Sequence, residues 1–209
     1  EGFDLAPDLD DVTIFGGGQS IGNDFEGTFY DLKRYRNGNV SSVDRDSIIS
    51  ILAKFVKSGW KKSELAKYYQ SPKKLYATCF LVPTVPSSMA PSAFGEPETG
   101  GWLWAAHYEG KLVYPEDTKI RFWGFADDIM VIRVNGKVVL NASWPGESET
   151  IASFWRTSSA DSYKYYLGNN LSVVGDWIEL KAQEPLDMEV LIGEVPGGQF
   201  SAMITVQVD

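Results

Sequence analysis

An alternation of apolar and polar residues with a period of two runs through most of this chain and predicts β-strands. The segment 200–208 shows it most cleanly, because apolar side chains occupy every second position and polar ones most of the positions between. Similar runs lie at 102–108, 120–123, 177–182 and 188–192, and glycine or proline residues separate them at short intervals. That rhythm of antiparallel strands is typical of a β-sandwich or barrel.

One stretch departs from this pattern and predicts a pair of helices. After Asp44, a suitable N-cap, apolar residues recur at the i, i+3, i+4 and i+7 spacing of a helix face, and Gly59 suits the end of the helix. A second short helix is predicted over about 60–70, with Pro72 stopping it. The predicted fold is therefore mainly β, an antiparallel sandwich or barrel with a two-helix insertion at about 44–70.

The clearest β-hairpin spans 129–140 around Asn135-Gly136. This dipeptide supplies the two positive-φ residues of a type I′ turn, and apolar residues alternate along the strand that leads into it. If the turn sets the register, Val134 faces Lys137 and the numbers of all paired residues sum to 271. A one-residue bulge would shift that register.

The same register gathers several polar groups at the open end of the hairpin. It places Asp128 opposite Ser143 and Asp127 near Trp144, with Asn141 close by. Two adjacent carboxylates, an amide and an indole on loops held by a rigid sheet form a candidate binding site. Adjacent carboxylates suit a hard cation, which prefers oxygen ligands.

The length and composition of the chain indicate one folded domain. No Pro/Ser-rich or charged linker divides the 209 residues, which predicts a single domain, 1–209, with insertions at about 42–74 and 145–175. A hydrophobic content of 44% excludes disorder, and no apolar run reaches the roughly 20 residues needed to cross a bilayer. We therefore expect no membrane insertion.

The charge balance limits the classes of partner. The net charge is −9 and the sequence pI is about 4.7. The electrostatic field of such a chain repels nucleic acid and tolerates cations and neutral ligands. Residues 54–74 are the exception, since they hold seven Lys against Glu64 alone. They contain no arginine and no recognition-helix motif, so we interpret them as a solvated helical face. We expect no nucleic-acid partner.

Motifs for catalysis are scarce. Cys79 is the only cysteine, which excludes an internal disulfide, and its apolar surroundings predict a buried thiol. His107 is the only histidine, which excludes multi-histidine metal sites, and its place on a strand favours a structural or surface role. No G-x-S-x-G turn or phosphate loop is present. The sequence therefore predicts no catalytic residues and no enzyme activity.

Several segments together resemble the PA14 domain family. Residues 101–140 read GWLWAAHYEGKLVYPEDTKIRFWGFADDIMVIRVNGKVVL and are similar to the core of a PA14 domain, including its Asp-Asp pair and the hairpin that follows. Phe29–Leu32 is similar to the opening strand of the family, and 177–182 and 188–190 resemble two later strands. The resemblance spans about 25–208 and implies a β-sandwich module of secreted or surface proteins.

The resemblance also implies a metal site. In lectin-like PA14 domains an adjacent Asp pair, joined by a cis peptide, binds Ca²⁺, and the ion in turn binds sugar hydroxyls. Asp127 and Asp128 occupy that motif here. Asn169 and Asn170, beside Gly168, are the further metal ligands that we expect, because short amide oxygens in a glycine-containing loop can reach an ion.

The implied function is a carbohydrate-binding, lectin-like module, with Ca²⁺ at the adjacent Asp pair as the possible cofactor. The expected carbohydrate-binding residues are Asp127, Asp128, Trp144 and Asn141, of which the indole would offer a ring face to a sugar. The expected ligand is a glycan or a cell-surface polysaccharide, and the expected location is secreted, periplasmic or at the cell surface. The sequence departs from the family at Ile129, where a glycine is usual.

Two alternatives remain open at this point. One is a structural or protein-interaction module of the cell surface, without metal or glycan, that binds a protein partner or forms a homo-oligomer through the helical insertion. The other is a glycan-processing enzyme, which would need two carboxylates at a suitable separation in one cleft, with Glu109 as a further candidate.

Overall fold

Two antiparallel β-sheets form most of the computed structural model, which describes residues 12–209. The strands are β1 (Val12–Thr13), β2 (Gly16–Gly17), β3 (Phe25–Tyr35), β4 (Tyr68–Ala77), β5 (Leu81–Pro86), β6 (Trp104–Leu112), β7 (Thr118–Asp127), β8 (Ile129–Val134), β9 (Lys137–Asn141), β10 (Tyr166–Leu167), β11 (Asn170–Leu171), β12 (Val173–Val174), β13 (Ile178–Leu180), β14 (Leu186–Glu194) and β15 (Gln199–Val208). The α-helices are α1 (Arg45–Lys57), α2 (Met89–Ala93) and α3 (Pro145–Ile151).

The strand order defines the two layers. The larger sheet has eight strands in the order β1-β2-β4-β3-β6-β14-β8-β9, and the smaller has β12-β7-β15-β5, with β13 also paired to β7. β10 and β11 form a separate short hairpin. The main core lies between the two sheets and includes Phe29, Trp104, Phe122, Ile132 and Phe200. The predicted antiparallel β-sandwich is therefore confirmed.

The outer face of the larger sheet carries a second apolar core under α1 and α3. Leu52 and Phe55 of α1 are fully buried in it, together with Val131 of β8. The neighbouring side chains of the same strand, Met130 and Ile132, belong to the core between the sheets. β8 is therefore buried on both faces, which explains why it reads as an almost continuous apolar run.

The first predicted helix is confirmed from its cap to its end. Asp44 is the N-cap, its carboxylate accepts from the backbone N–H of Ser47, and the Ser47 hydroxyl accepts from the backbone N–H of Asp44. Gly59 follows the helix with φ of 80°, a left-handed conformation that glycine adopts without steric cost. The apolar side of this helix packs on the outer face of the larger sheet.

The second predicted helix is wrong over most of its length. A single 3-10 turn, Lys62–Glu64, is present, and Tyr68 already begins strand β4. Pairing of Tyr68, Tyr69 and Gln70 with β3 overrides the short helical spacing of apolar residues there. Pro72 does not stop a helix. It lies at a register shift in this pairing, where a missing N–H disrupts the ladder least.

Other predictions fall in the loops. Cys79 lies between β4 and β5 and is exposed, so the prediction of a buried thiol is wrong: the apolar run is broken there into two strands. The segment 145–175 contains α3 and the β10–β11 hairpin. Among residues 12–209, every helix is too short or too polar to cross a bilayer.

Candidate functional site

The Asp pair lies where the chain crosses from one sheet to the other. Asp127 ends β7 in the smaller sheet, and Ile129 begins β8 in the larger sheet, so Asp128 is the single residue between them. The peptide bond between the two aspartates is cis, the arrangement that the family resemblance implies. Asp127 is half-buried and Asp128 is buried, so the pair reaches from the surface into the molecule.

A third carboxylate joins the pair. One oxygen from each of Asp127, Asp128 and Glu194 lies within 4.8 Å of the other two. Glu194 is the last residue of β14, and it is brought here because Gly193 pairs with Ile129 of β8. Sequence reasoning missed Glu194. The available signal was its position: a charged residue at the end of an apolar strand, separated by one residue from Pro196-Gly197-Gly198.

Backbone amides hold the two buried carboxylates in place. Asp128 Oδ2 accepts a hydrogen bond of 2.9 Å from the N–H of Val195, and Glu194 Oε1 accepts one of 2.8 Å from the N–H of Gly197. The other Glu194 oxygen, Oε2, is buried and has no hydrogen-bond partner among the described residues. A buried carboxylate oxygen without a donor is costly, which marks this position as one that suits a cation or a proton.

The surroundings of the cluster make ionisation of its two buried carboxylates unfavourable. Burial and the neighbouring Asp127 raise the pKa of Asp128 to about 7, although the Val195 amide lowers it. Burial and the charge of Asp128 raise the pKa of Glu194 to about 10. Among residues 14–209, no Lys or Arg forms an ion pair with these three carboxylates. Arg45 binds Glu147 at 2.9 Å instead, and this hydrogen bond, together with a smaller effect of the charge of Asp128, raises the pKa of Arg45.

An amide side chain covers the exposed side of the cluster. Asn169 lies in the two-residue turn between β10 and β11, and its Nδ2 donates a hydrogen bond of 3.2 Å to Asp127 Oδ2. Gly168 precedes it with φ of 76° and lies against the ring of Phe125, so the turn packs closely on the sheet. Asn170 accepts a hydrogen bond from the backbone N–H of Leu171, which leaves it outside the contact with Asp127.

These donors suit a hard divalent cation. The carboxylates of Asp127, Asp128 and Glu194 and the amide of Asn169 are all oxygen donors, and Ca²⁺ takes six to eight oxygens at about 2.3–2.6 Å. A half-turn of the Asn169 amide would direct its oxygen, rather than its nitrogen, at the cluster. The residues present therefore fit the Ca²⁺ ion that the resemblance implies.

Comparison with known proteins rests on structure. No family model matches the chain, and no curated protein matches its sequence. Three solved domains superpose on about nine-tenths of it. A PA14 sugar-binding domain from an RTX adhesin has a TM-score of 0.52 at 14% identity, covering 89% of this chain and 90% of that one. The PA14 domain of the MpAFP antifreeze protein has a TM-score of 0.52 at 12% identity, covering 91% and 87%.

The third domain is the A domain of epithelial adhesin 9 from Candida glabrata, solved in complex with Galb1-3GlcNAc. Its TM-score is 0.52 at 10% identity, covering 90% of this chain and 85% of that one. The chain has a PA14-like fold. At these identities the likeness shows the fold alone, so the function must be argued from the site itself.

Within this PA14-like fold, a bulge changes the predicted hairpin register. Val134 pairs with Lys137 as predicted, but Ile132 pairs with Leu140, so the numbers of paired residues sum to 272 beyond the bulge. The extra residue is Val139, and it lies in the part of the hairpin closest to the turn. The register predicted from the two-residue turn is therefore wrong for the pairs beyond Arg133.

The bulge moves the predicted neighbours of the Asp pair by one residue. Trp144, rather than Ser143, lies opposite Asp128, and its backbone N–H donates a hydrogen bond of 2.6 Å to the Asp128 carbonyl. The Trp144 ring is half-buried and lies 6.2 Å from the ring of Phe125. Asn141 is buried, its Nδ2 donates to Ser148 and its Oδ1 accepts from Ser143. Asn141 therefore supports the loop, and it presents no free group to a ligand.

Glu109 lies in a different cluster. One donor atom from each of His107, Glu109 and Glu189 lies within 4.8 Å of the other two. Cations already bind these carboxylates, since Lys62 pairs with Glu109 and Arg133 with Glu189. His107 is buried and its Nε2 lies 3.1 Å from Glu189, so it has the structural role that its strand position suggested.

Proposed function

We propose that this chain is a carbohydrate-binding module whose Asp127-Asp128 pair holds a Ca²⁺ ion, and that the ion binds sugar hydroxyls. The observation that carries the proposal is the group of three carboxylates without a cation partner among the described residues, at the crossing between the sheets. A cation would compensate the like charges that these three carboxylates carry once they are ionised. The proposal involves binding and no catalytic step.

Each side chain has a distinct part in the proposed site. Asp128 and Glu194 are buried and would bind the ion from the protein side. Asp127 and Asn169 are more exposed and would bind it from the solvent side. Ca²⁺ accepts more oxygen ligands than these four residues supply, so water or two neighbouring sugar hydroxyls can complete its coordination. Binding through the ion would favour sugars with adjacent, suitably oriented hydroxyl groups.

Aromatic rings beside the ion would add contact area. The Trp144 ring packs against Phe125, and Phe125 in turn lies against the turn that carries Asn169. The apolar face of a sugar ring packs well on aromatic side chains, and half-buried rings lose little conformational freedom on binding. We propose Trp144 as this contact and leave Asn141 and Asn170 out of the direct site.

Domains with a similar fold support the proposal. One is a sugar-binding domain of an adhesin, and another was solved with a bound disaccharide. We also propose that the chain is a single module that binds a glycan. Its proposed location is secreted, periplasmic or at the cell surface. The net charge of −9 is compatible with neutral glycans and a bound cation.

The first test is calcium binding and its effect on glycan binding. Isothermal titration of the chelator-treated chain with CaCl₂ should give one saturable site, and a glycan array run with and without Ca²⁺ should show binding only with the ion. Asp128→Asn should abolish both signals. Because Asp128 also holds the Val195 amide, Asp127→Asn serves as a second variant at a more exposed position.

Asp187→Asn is the matched control, since Asp187 is an exposed carboxylate paired with Lys111 and lies at the opposite end of β14 from Glu194. It should bind Ca²⁺ and glycans like the unchanged chain. Glycan binding that persists in chelator would refute the role of the ion. Calcium binding without any glycan binding on the array would instead favour a structural module.

A further inference from the structure

A hollow of about 500 Å³ lies at the other end of β8 from the Asp pair. It is formed where the end of α1 meets the tip of the β8–β9 hairpin. Binding sites for small molecules commonly have volumes of about 300–1,000 Å³, so this hollow has room for one sugar ring or a molecule of similar size. The residues that line it are Val56, Lys57, Gly59, Trp60, Arg133, Gly136, Lys137, Val138, Phe154 and Trp155.

The lining combines cations with aromatic rings. Lys57, Arg133 and Lys137 are its charged residues, and no carboxylate lines the hollow. Two of these cations have acidic partners: Arg133 pairs with Glu189, and Lys137 lies 3.7 Å from Asp176, which also accepts from the Trp155 indole. Lys57 is exposed and has no ion pair among residues 14–209. Lys57 is therefore the charge of the lining that no described carboxylate offsets, on a chain whose net charge is −9.

The wall of the hollow is held in one conformation. Trp60 is buried. Its φ is 62°, and that of the preceding Gly59 is 80°, so both residues have a left-handed backbone conformation. A non-glycine residue in this region persists only when its surroundings enforce it. Arg133 lies over the Trp60 ring at 5.6 Å, and its Nε lies 2.6 Å from Glu189. The guanidinium is therefore fixed before any ligand arrives, which lowers the entropic cost of binding.

The geometry points to a second ligand site, and we propose that it binds a sugar ring that carries one carboxylate, such as a uronic acid residue of an acidic polysaccharide. The carboxylate would lie among Lys57, Arg133 and Lys137, and a ring face would pack on Trp155 or on the exposed Phe154. Exposed residues form much of the lining, which suits a hydroxylated ring that stays in partial contact with water better than an aromatic acid.

This site is independent of the proposed Ca²⁺ site. Asp128 and Arg133 are five residues apart along an extended strand, a separation of about 17 Å at roughly 3.3 Å per residue. No residue that lines the hollow belongs to the carboxylate cluster. Binding here should therefore survive chelation and the Asp127→Asn change, and failure of one site would leave the other untouched.

The test is an NMR titration of the uniformly ¹⁵N-labelled chain at low salt with three probes: D-glucuronate, D-glucose and benzoate. Glucuronate should shift the indole N–H signals of Trp60 and Trp155 saturably, and glucose should bind at least about tenfold more weakly because it lacks the charge. The double variant Lys57→Gln/Lys137→Gln should also bind glucuronate about tenfold more weakly, equivalent to about 1.4 kcal/mol. Added NaCl should weaken binding further.

Lys119→Gln is the matched control, because Lys119 is a half-exposed lysine on β7 outside the hollow. It should bind glucuronate like the unchanged chain. Equal binding of glucose and glucuronate, an unaffected double variant, or no saturable shift with any probe would each overturn the proposal. Tighter binding of benzoate than of glucuronate would overturn the assignment to an acidic sugar.

Discussion

At the scale of single residues, the charge state of Asp128 and Glu194 couples stability to pH. Their folded pKa values are raised to about 7 and about 10, whereas ordinary values are 3.8 and 4.5. At a pH between the ordinary and the raised pKa of each group, the folded chain binds more protons than the unfolded chain. The contribution of both groups to the free energy of unfolding is therefore complete at acid pH and is lost as the pH rises through this range.

The first prediction follows from that sign. Without calcium, the midpoint of thermal unfolding should fall between about pH 5 and about pH 8.5, because burying ionised carboxylates becomes more costly. Circular dichroism during heating in chelator measures it. Glu194→Gln should flatten the dependence, since the amide stays neutral, and Asp187→Asn should leave it unchanged. A midpoint that rises with pH equally in all three chains would contradict the assignment.

The position of Glu194 also shows where sequence reasoning ends at this scale. The Asp pair could be found because the two residues are adjacent and precede a hairpin with a strong turn signal. Glu194 is 66 positions further along the chain than Asp128 and joins it only through the pairing of β14 with β8. Nothing local in the sequence states that pairing, so Glu194 could be marked as an unusual strand end but could not be assigned to the Asp pair.

At the scale of elements, the turn between β10 and β11 positions Asn169. Gly168 allows the positive φ of this turn, and a Cβ there would lie 3.1 Å from the sulfur of Met203. We predict that Gly168→Ala weakens calcium binding about three- to tenfold, because the turn must shift and carry Asn169 away from Asp127. The backbone strain itself should cost about 1 kcal/mol of stability.

Gly136→Ala provides the matched control for this prediction. Gly136 also has a positive φ, in the turn of the β8–β9 hairpin, and a Cβ there meets nothing within 4 Å. It should show a similar loss of stability with unchanged calcium affinity. If calorimetry gives equal calcium affinities for both variants, the turn does not position a ligand.

Helix α1 is the second element with a measurable role, because it covers the outer face of the larger sheet. Leu52 is fully buried against that face, so Leu52→Ala should destabilise the chain by about 2–5 kcal/mol. Ser50→Ala on the exposed side of the same helix should change stability by less than about 0.5 kcal/mol. Urea unfolding compares the two, and equal effects would mean that the helix is not part of the core.

The success of the element predictions depended on how local their signals were. α1 was predictable because its cap, its apolar spacing and its terminal glycine all lie within the segment. Residues 68–70 were assigned to a helix because their pairing partner in β3 is nearly forty positions away. The hairpin register followed its turn for the first two pairs and then failed at the bulge at Val139, which the turn residues do not encode.

At the scale of the whole molecule, the carboxylate cluster joins the two layers of the sandwich. Asp127 belongs to the smaller sheet, and Glu194 belongs to the larger sheet. An ion held between them would link both sheets at the one place where β7 continues directly into β8. Strand content and alternation predicted the sandwich, but this link between layers became visible only once the strand order was known.

The last prediction is that calcium stabilises the whole sandwich as one unit. A ligand that binds only the folded chain adds about 2.7 kcal/mol at one hundred times its dissociation constant, which for a domain of this size raises the unfolding midpoint by roughly 5–10 °C. Differential scanning calorimetry should show a single transition that moves upward with CaCl₂. Asp127→Asn should remove the shift, and NaCl at equal ionic strength should not reproduce it. A midpoint independent of millimolar calcium would exclude an ion that bridges the sheets.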